Sequence, residues 1–158
     1  MGAPRASLRA LEESDVERVI AIGNSLGLSP WSRADYIAEL KRTDAYMSVA
    51  SIDEEITGFL VARRVPGPAP DSWEAELYNI GVSRNFQFSG IGKLLMDGLI
   101  NRCRRGGVQE IWLEVRRKNH SAIRFYQGFG FEESGLRTNF YRDPTDDALL
   151  MRLKIRGV

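Results

Sequence analysis

The stretch Ile80-Gly81-Val82-Ser83-Arg84-Asn85-Phe86-Gln87-Phe88-Ser89-Gly90-Ile91-Gly92-Lys93-Leu94-Leu95 constrains the fold more than any other part of the chain. A strand-like run from Trp73 to Val82 ends there, and a helix starts at a glycine pair. That helix reads from Gly90 to about Arg105, with Ile91, Leu94, Leu95, Leu99 and Cys103 on one apolar face. Gly106-Gly107 ends it, and Val108 to Val115 reads as the next strand. Strand, helix, strand in that order needs a crossover connection and therefore parallel pairing. The first turn of a helix leaves backbone N–H groups unpaired, and with the helix dipole they form an anion site. Gly90 and Gly92 lack Cβ atoms, so a pyrophosphate can approach the backbone there. The plainer alternative is that the glycines serve only the turn. The stretch is not a Walker sequence, and Asp97-Gly98 falls out of register for G-x-G-x-x-G.

The remaining elements extend this centre into a mixed sheet. Ala6 to Ala10 reads as a first strand. Ser14-Asp15-Val16-Glu17 reads as a capping box, with Val16, Val19, Ile20 and Gly23 on one helical face and Gly27 as the stop. Ser32 caps a second helix through Lys41, with Ile37 and Leu40 inward. Tyr46 to Ile52 and Ile56 to Val65 form a hairpin around Asp53-Glu54-Glu55. Pro66-Gly67-Pro68-Ala69-Pro70 reads as a surface loop, not a linker, because it is short and neither flank closes a core alone. Asn119 caps a short helix bearing Ile123, Tyr126 and Phe129, and Gly130 to Ser134 and Ala148 to Ile155 read as closing strands. The expectation is one α/β domain over residues 1–158, ordered β-α-α-β-β-β-α-β-α-β-β, with helices on both faces of a mixed sheet.

Composition narrows the function classes. A net charge of +1 gives no electrostatic case for nucleic acid or an anionic membrane. No run approaches the ~20 apolar residues of a membrane span, and Met1-Gly2-Ala3-Pro4-Arg5 has no apolar leader core. One cysteine and one histidine leave a poor metal-ligand inventory and no internal disulfide. The expectation is a cytoplasmic protein without a metal. Cys103 reads as a core residue, His120 as an exposed one, and Arg102-Cys103-Arg104-Arg105 as solvated charge at a helix C-terminus.

Gln87-x-x-Gly90-x-Gly92 matches the [QR]-x-x-G-x-[GA] signature of the GNAT N-acetyltransferases, between the right strand and helix. Further segments resemble the RimI-type branch of that superfamily: Ala75-Glu76-Leu77-Tyr78-Asn79-Ile80-Gly81-Val82, Ile111-Trp112-Leu113-Glu114-Val115-Arg116, the Asn119 to Phe131 helix and turn, and an Arg137-Thr138-Asn139-Phe140-Tyr141 loop. The matches cover roughly residues 73 to 155, and the earlier part matches only in its order of elements. The resemblance implies the GNAT fold with a splayed central pair of parallel strands, and acetyl-CoA as co-substrate lying between the strands that end at Val82 and Val115. It implies pyrophosphate binding by Gln87, Phe88, Ser89, Gly90, Ile91, Gly92 and Lys93. Phe88 and Ser89 stand where relatives carry basic or polar residues, which leaves Arg84 or Lys93 to supply positive charge.

Acetyl transfer to an amine needs a base for the ammonium proton, a donor to the carbonyl oxygen and an acid for the departing thiolate. The resemblance implies Glu114 as base, with Glu76 the rival, and Tyr126 as acid. Each has a plainer reading: Glu114 a solvated carboxylate or one paired with Arg116, Glu76 a positioning group, and Tyr126 a core aromatic. The oxyanion donor would be backbone near Ile80 to Val82, where Gly81 permits a β-bulge. Asn119 reads as a CoA-arm contact and as a helix cap. Glu76, Asn79 and Tyr141 read as acceptor contacts, with Phe140 replacing a second tyrosine. The implied acceptor is a protein N-terminus, in the type member the N-terminal alanine of a small-subunit ribosomal protein. The expectation is direct transfer within a ternary complex by a monomer or weak dimer. The alternatives are a small-molecule amine or lysine as acceptor, or a non-catalytic acyl-CoA-binding module.

Overall fold

The computed structural model describes residues 5–28 and 30–156. Met1-Gly2-Ala3-Pro4, read above for a leader, lies outside the described residues. The strands are β1 (Ala6–Ala10), β2 (Ala45–Ile52), β3 (Glu55–Pro66), β4 (Trp73–Val82), β5 (Val108–Arg116), β6 (Glu132–Tyr141) and β7 (Asp146–Lys154). The helices are α1 (Val16–Ser25), α2 (Arg33–Leu40), α3 (Ile91–Arg105) and α4 (His120–Gln127). The strand order is β1-β2-β3-β4-β5-β7-β6 in one mixed sheet, which is the expected class and element order. By packing, the described residues group into two compact units that interleave in sequence: Met1–Arg64 with Tyr78–Arg102, and Val65–Leu77 with Cys103–Val158.

In the first unit, β1 and β3 flank β2 in antiparallel pairing. Asp53 and Glu54 turn the β2–β3 hairpin with both φ angles positive, at 48° and 71°. That is the backbone sense a two-residue hairpin turn requires, and aspartate tolerates it better than most residues. Val16, Val19 and Ile22 of α1 and Tyr36 of α2 close a core with Met47, Val49, Phe59 and Val61. Each such side chain contributes about 1.5–3 kcal/mol by leaving water. Ile37 and Leu40 are only partly buried against this core, and Tyr36 and Glu39 hold the buried positions of α2. Glu39 is neutralised there by a two-pronged hydrogen bond from Arg63.

The capping box expected at Ser14 and Glu17 does not form. A short 3-10 turn, Glu13–Asp15, precedes α1, and Asp15 folds back to accept from the Glu12 N–H at 2.8 Å. The capping box therefore stands at Glu12 and Asp15 instead, and Asp15 also takes two hydrogen bonds from Arg9, at 2.7 and 2.9 Å. Ser32 does cap α2: it accepts from the Asp35 N–H at 3.1 Å, and Asp35 accepts from the Ser32 N–H at 2.8 Å.

Helix α3 buries Ile91, Leu95, Met96, Leu99 and Cys103, while Leu94 is only partly covered. It packs on β3 at Gly58, where an added Cβ would stand 2.9 Å from Ile91 Cγ2 and 3.1 Å from Leu95 Cδ1. Gly81 answers to packing in the same way. A Cβ there would stand 2.9 Å from Phe59 Cε1 and 3.0 Å from Leu28 Cδ1, so its missing side chain is explained by close approach. The register irregularity of β4 against β5 falls at Trp73/Glu74, away from Gly81.

In the second unit, the first half of β4 pairs in parallel with β5, from Trp73/Val108 to Leu77/Leu113. Strand β7 lies antiparallel between β5 and β6. The tract after β3 is a loop, as expected: Ser72 Oγ accepts from the Ala69 N–H, and Gly67 N–H donates to the Ser72 carbonyl at 2.8 Å. Strand β6 runs much further than Ser134. The Arg137–Tyr141 segment, expected as a loop, is a bulged part of this strand, with register shifts between Arg137 and Tyr141. Asn139 sits at the kink with φ 54°, and its N–H donates to Asp147 Oδ1 at 2.8 Å.

Candidate active site

Strand alternation decides which side chains of the second unit share a face. Along β5, Val108, Ile111, Leu113 and Val115 are buried, while Glu110, Trp112, Glu114 and Arg116 occupy the alternating positions. Glu74 and Glu76 of β4 stand opposite Glu110 and Trp112, so Glu76 and Glu114 project from the same face of the sheet. Trp112 Nε1 donates to Glu74 Oε2 at 3.0 Å. On the other side, Leu150 and Ala148 of β7 face Glu114 and Arg116, and Arg137 of β6 faces Ala148. Arg137 Nη1 stands 3.4 Å from Glu114 Oε1.

Tyr141 ends β6 beside this pair. The Arg116 guanidinium covers its ring at 4.4 Å from the centroid, and Phe140 meets it edge-on at 5.1 Å. Burial raises the Tyr141 phenol above its ordinary value, the Glu114 charge adds to the rise, and Arg116 opposes it. Tyr126, on α4, packs its ring against Phe125 and Phe131 at 5.5 and 5.7 Å. Burial, helped by Tyr141, pushes the Tyr126 phenol well above the usual tyrosine range, so it stays protonated at neutral pH. Glu114, Tyr141 and Tyr126 thus form one electrostatic neighbourhood. Asn119 caps α4, its Oδ1 accepting from the Ala122 N–H at 3.2 Å and from Ser121 Oγ at 3.3 Å. That leaves the Asn119 amide NH2 as the group that can face a ligand. His120 is exposed at the first position of α4.

The first unit carries the glycine turn. Gln87 Nε2 donates to the Val82 carbonyl at 3.0 Å, tying the turn back to the strand end. Ser89 Oγ donates to the Phe86 carbonyl. Phe88 and Gly90 both have positive φ, 64° and 89°, and Phe88 is fully exposed. The first hydrogen bond inside α3 runs from Leu94 N–H to the Gly90 carbonyl at 3.0 Å, so the N–H groups of Ile91, Gly92 and Lys93 have no partner within the helix. An added Cβ at Gly90 would meet nothing within 4 Å. Open space above a helix start rich in donors fits an anion such as a pyrophosphate. The two side-chain cations near the turn are already engaged: Lys93 with Asp97 at 2.6 Å, and Arg84 with the Ser25 carbonyl at 3.0 Å. Of the β4 residues, Asn79 is buried on the face of Ala75, Leu77 and Gly81, opposite to that of Glu76, while Ile80 and Val82 are partly exposed.

The acetyltransferase (GNAT) family profile matches residues 10–131. The chain belongs to that family. The matched span of the GNAT acetyltransferase holds the glycine turn, Glu76, Glu114, Asn119 and Tyr126, and it stops short of Arg137 and Tyr141. The chain is 30% identical over 151 residues to the ribosomal protein bS18-alanine N-acetyltransferase of Escherichia coli (strain K12), covering 94% of this chain and 97% of that one. It is 36% identical over 138 residues to the protein of the same name from Haemophilus influenzae, covering 85% and 87%. The solved structure of the Escherichia coli ribosomal-protein-S18-alanine N-acetyltransferase superposes with a TM-score of 0.84 at 28% identity, covering 98% and 96%.

Among the described residues no group of three or more His, Cys, Asp or Glu side chains is arranged to hold a metal ion. Among them, too, no helix is long and apolar enough to cross a membrane. Two features of the site were missed in the sequence. One is Arg116 as a clamp on the β6–β7 hairpin; its signal was its place two residues after Glu114, on the same strand face. The other is the Arg137–Glu114 pair, which joins strands that are not adjacent and has no local signal.

Proposed function

We propose that the chain, acting as one domain, transfers the acetyl group of acetyl-CoA to the N-terminal α-amine of a protein in the cytoplasm. The acceptor class follows the names of its relatives, which act on the alanine terminus of ribosomal protein bS18. The observation that carries this reading is the pairing of roles around Tyr141. A solvent-reachable carboxylate, Glu114, and a phenol held protonated, Tyr126, both lie within its electrostatic reach. The glycine turn at Gly90 and Gly92 would hold the pyrophosphate of the co-substrate, whose thioester supplies the activated acetyl group.

An α-amine has a pKa of about 8, so most of it arrives as ammonium at neutral pH. Glu114 accepts that proton, directly or through water, with Glu76 on the same face as the rival base. Tyr126 donates a proton to the departing sulfur. Backbone N–H near Ile80 to Val82 donates to the carbonyl oxygen as charge develops there. Asn119 steadies the arm of the co-substrate. Cys103, the lone thiol, is fully buried on α3, which supports direct transfer over an acetylated-cysteine intermediate.

The test is acetyl-CoA-dependent thiol release with short peptides bearing free Ala, Ser or Met termini, or an acetylated terminus, for the wild type and Glu114→Gln. Turnover on the free termini, absent from the blocked peptide and lost in the variant, supports the reading. Turnover only on lysine or small amines reassigns the acceptor. Binding of CoA without turnover on any amine makes the chain a binding module.

A further inference from the structure

We propose that Arg116 is a positioning residue for the acceptor: it clamps the β6–β7 hairpin, with Tyr141, to the strand that carries Glu114, and so fixes the wall along which acceptor residues beyond the reacting amine lie. This rests on the peptide-acceptor reading above and adds a residue to it.

The geometry is specific to a guanidinium. Arg116 Nη1 donates to the Pro144 carbonyl at 2.8 Å, Nη2 donates to the Arg142 carbonyl at 3.1 Å, and the carbon between them lies 4.4 Å from the Tyr141 ring centroid. Two carbonyls of the hairpin tip are satisfied by one planar fork while its face covers an aromatic ring, a combination that a lysine ammonium does not provide. The base of the hairpin has other ties that do not involve this side chain. Arg117 N–H donates to the Asp147 carbonyl at 3.0 Å, Lys118 N–H to Asp146 Oδ2 at 3.1 Å, and Asn139 N–H to Asp147 Oδ1 at 2.8 Å. Loss of the Arg116 side chain therefore frees the tip and Tyr141 while the β5–β7 ladder stays closed.

The same hairpin presents Leu136 and Phe140 to solvent, at 44% and 47% exposure. An acceptor that ends at its reacting residue does not extend along this surface, and a longer peptide does. Arg116 should therefore matter for one acceptor and not for the other, a split that general destabilisation would not produce.

The experiment compares steady-state kinetics of the wild type, Arg116→Met and Arg116→Lys, with acetyl-CoA and either alanine amide or an Ala-terminated hexapeptide as acceptor. Arg116→Met keeps the apolar stem, and Arg116→Lys keeps the charge. Both variants should raise the peptide KM about tenfold, the worth of one charge-assisted hydrogen bond. Their kcat, the alanine amide KM and the acetyl-CoA KM should stay near the wild-type values. Equal KM effects on both acceptors, a fall in kcat alone, or full rescue by Arg116→Lys would overturn the proposal. If the wild type acetylates no peptide, the acceptor reading fails separately. The clamp is then read by amide hydrogen exchange without substrate. Arg116→Met should speed exchange across residues 139–146 relative to β5, and unchanged exchange there would sink the clamp itself.

Discussion

Arg137 Nη1 reaches from β6 across β7 to within 3.4 Å of Glu114 Oε1 on β5. Both side chains are substantially exposed, at 56% and 31%, so the pair contributes only about 0–1 kcal/mol. An arriving ammonium can displace it. Arg137→Met is therefore expected to shift the acceptor KM by less than about fivefold and leave kcat in place. Glu114→Gln is expected to lower kcat by about 10²–10⁴ with acetyl-CoA binding intact. Thiol-release kinetics beside calorimetric CoA binding separates the two variants, and the same assay on Glu76→Gln decides between the rival bases.

Tyr126→Phe should lower kcat by about 10²-fold or more while acetyl-CoA still binds. Because burial raises the phenol above its ordinary value of 10.0, the wild-type acid stays protonated through that pH. A pH–rate profile should show no alkaline loss traceable to Tyr126 below about pH 10. A limb near pH 9 that vanishes in Tyr126→Phe would remove the residue from the acid role.

Stability should fall at both pH extremes, for opposite reasons. Burial raises Tyr36 to about 12, and Tyr126 and Tyr141 also rise. The unfolded chain sheds these protons first, so their contribution is complete below about pH 10 and fades as pH rises further. Asp15 is lowered, chiefly by its hydrogen bond from Arg9, and Asp44 by its own from Arg42. Their contribution is present above about pH 4 and is lost as pH falls through the lowered values. Asp15→Asn should cost about 1–3 kcal/mol at neutral pH and flatten the acid limb of a urea-denaturation series.

Gly81→Ala should destabilise the protein by about 1–3 kcal/mol, because the new methyl overlaps Phe59, Leu28 and Leu26. Gly90→Ala meets no neighbour, but its φ is 89°, so its cost is about 1–2 kcal/mol of backbone strain. Its main effect should appear as a raised acetyl-CoA KM. Thermal melts with and without CoA distinguish a packing defect from a binding defect.

The element order was legible because each element carries its own local signal. Glycines stop α1 and α3, Ser32 and Asn119 cap α2 and α4, and period-two apolar alternation marks β4 and β5. The candidate site residues Glu114 and Tyr126 came from the family resemblance of their segments, and the structure adds that both lie in the electrostatic neighbourhood of Tyr141. Two readings failed where partners outside the motif decided. The capping box forms at Glu12 and Asp15, with Arg9 also bound to Asp15, and not at Ser14 and Glu17. The 137–141 segment looks like a loop, yet β7 pairs with it and Asp147 satisfies the kink. Gly81, read as permitting a bulge, also has a packing reason for its missing side chain in Leu26 and Leu28, after α1, and Phe59 of β3.

Strand β6 is made before the strand on which it depends. Because β7 lies between β5 and β6, residues 132–141 emerge from synthesis with no partner until Asp146–Lys154 follows. Glu114 and Arg137 are both anchored through that late strand. A chain cut between Tyr141 and Asp146 would keep every residue assigned to acetyl transfer here and still lack the β7 ladder that ties β6 to β5.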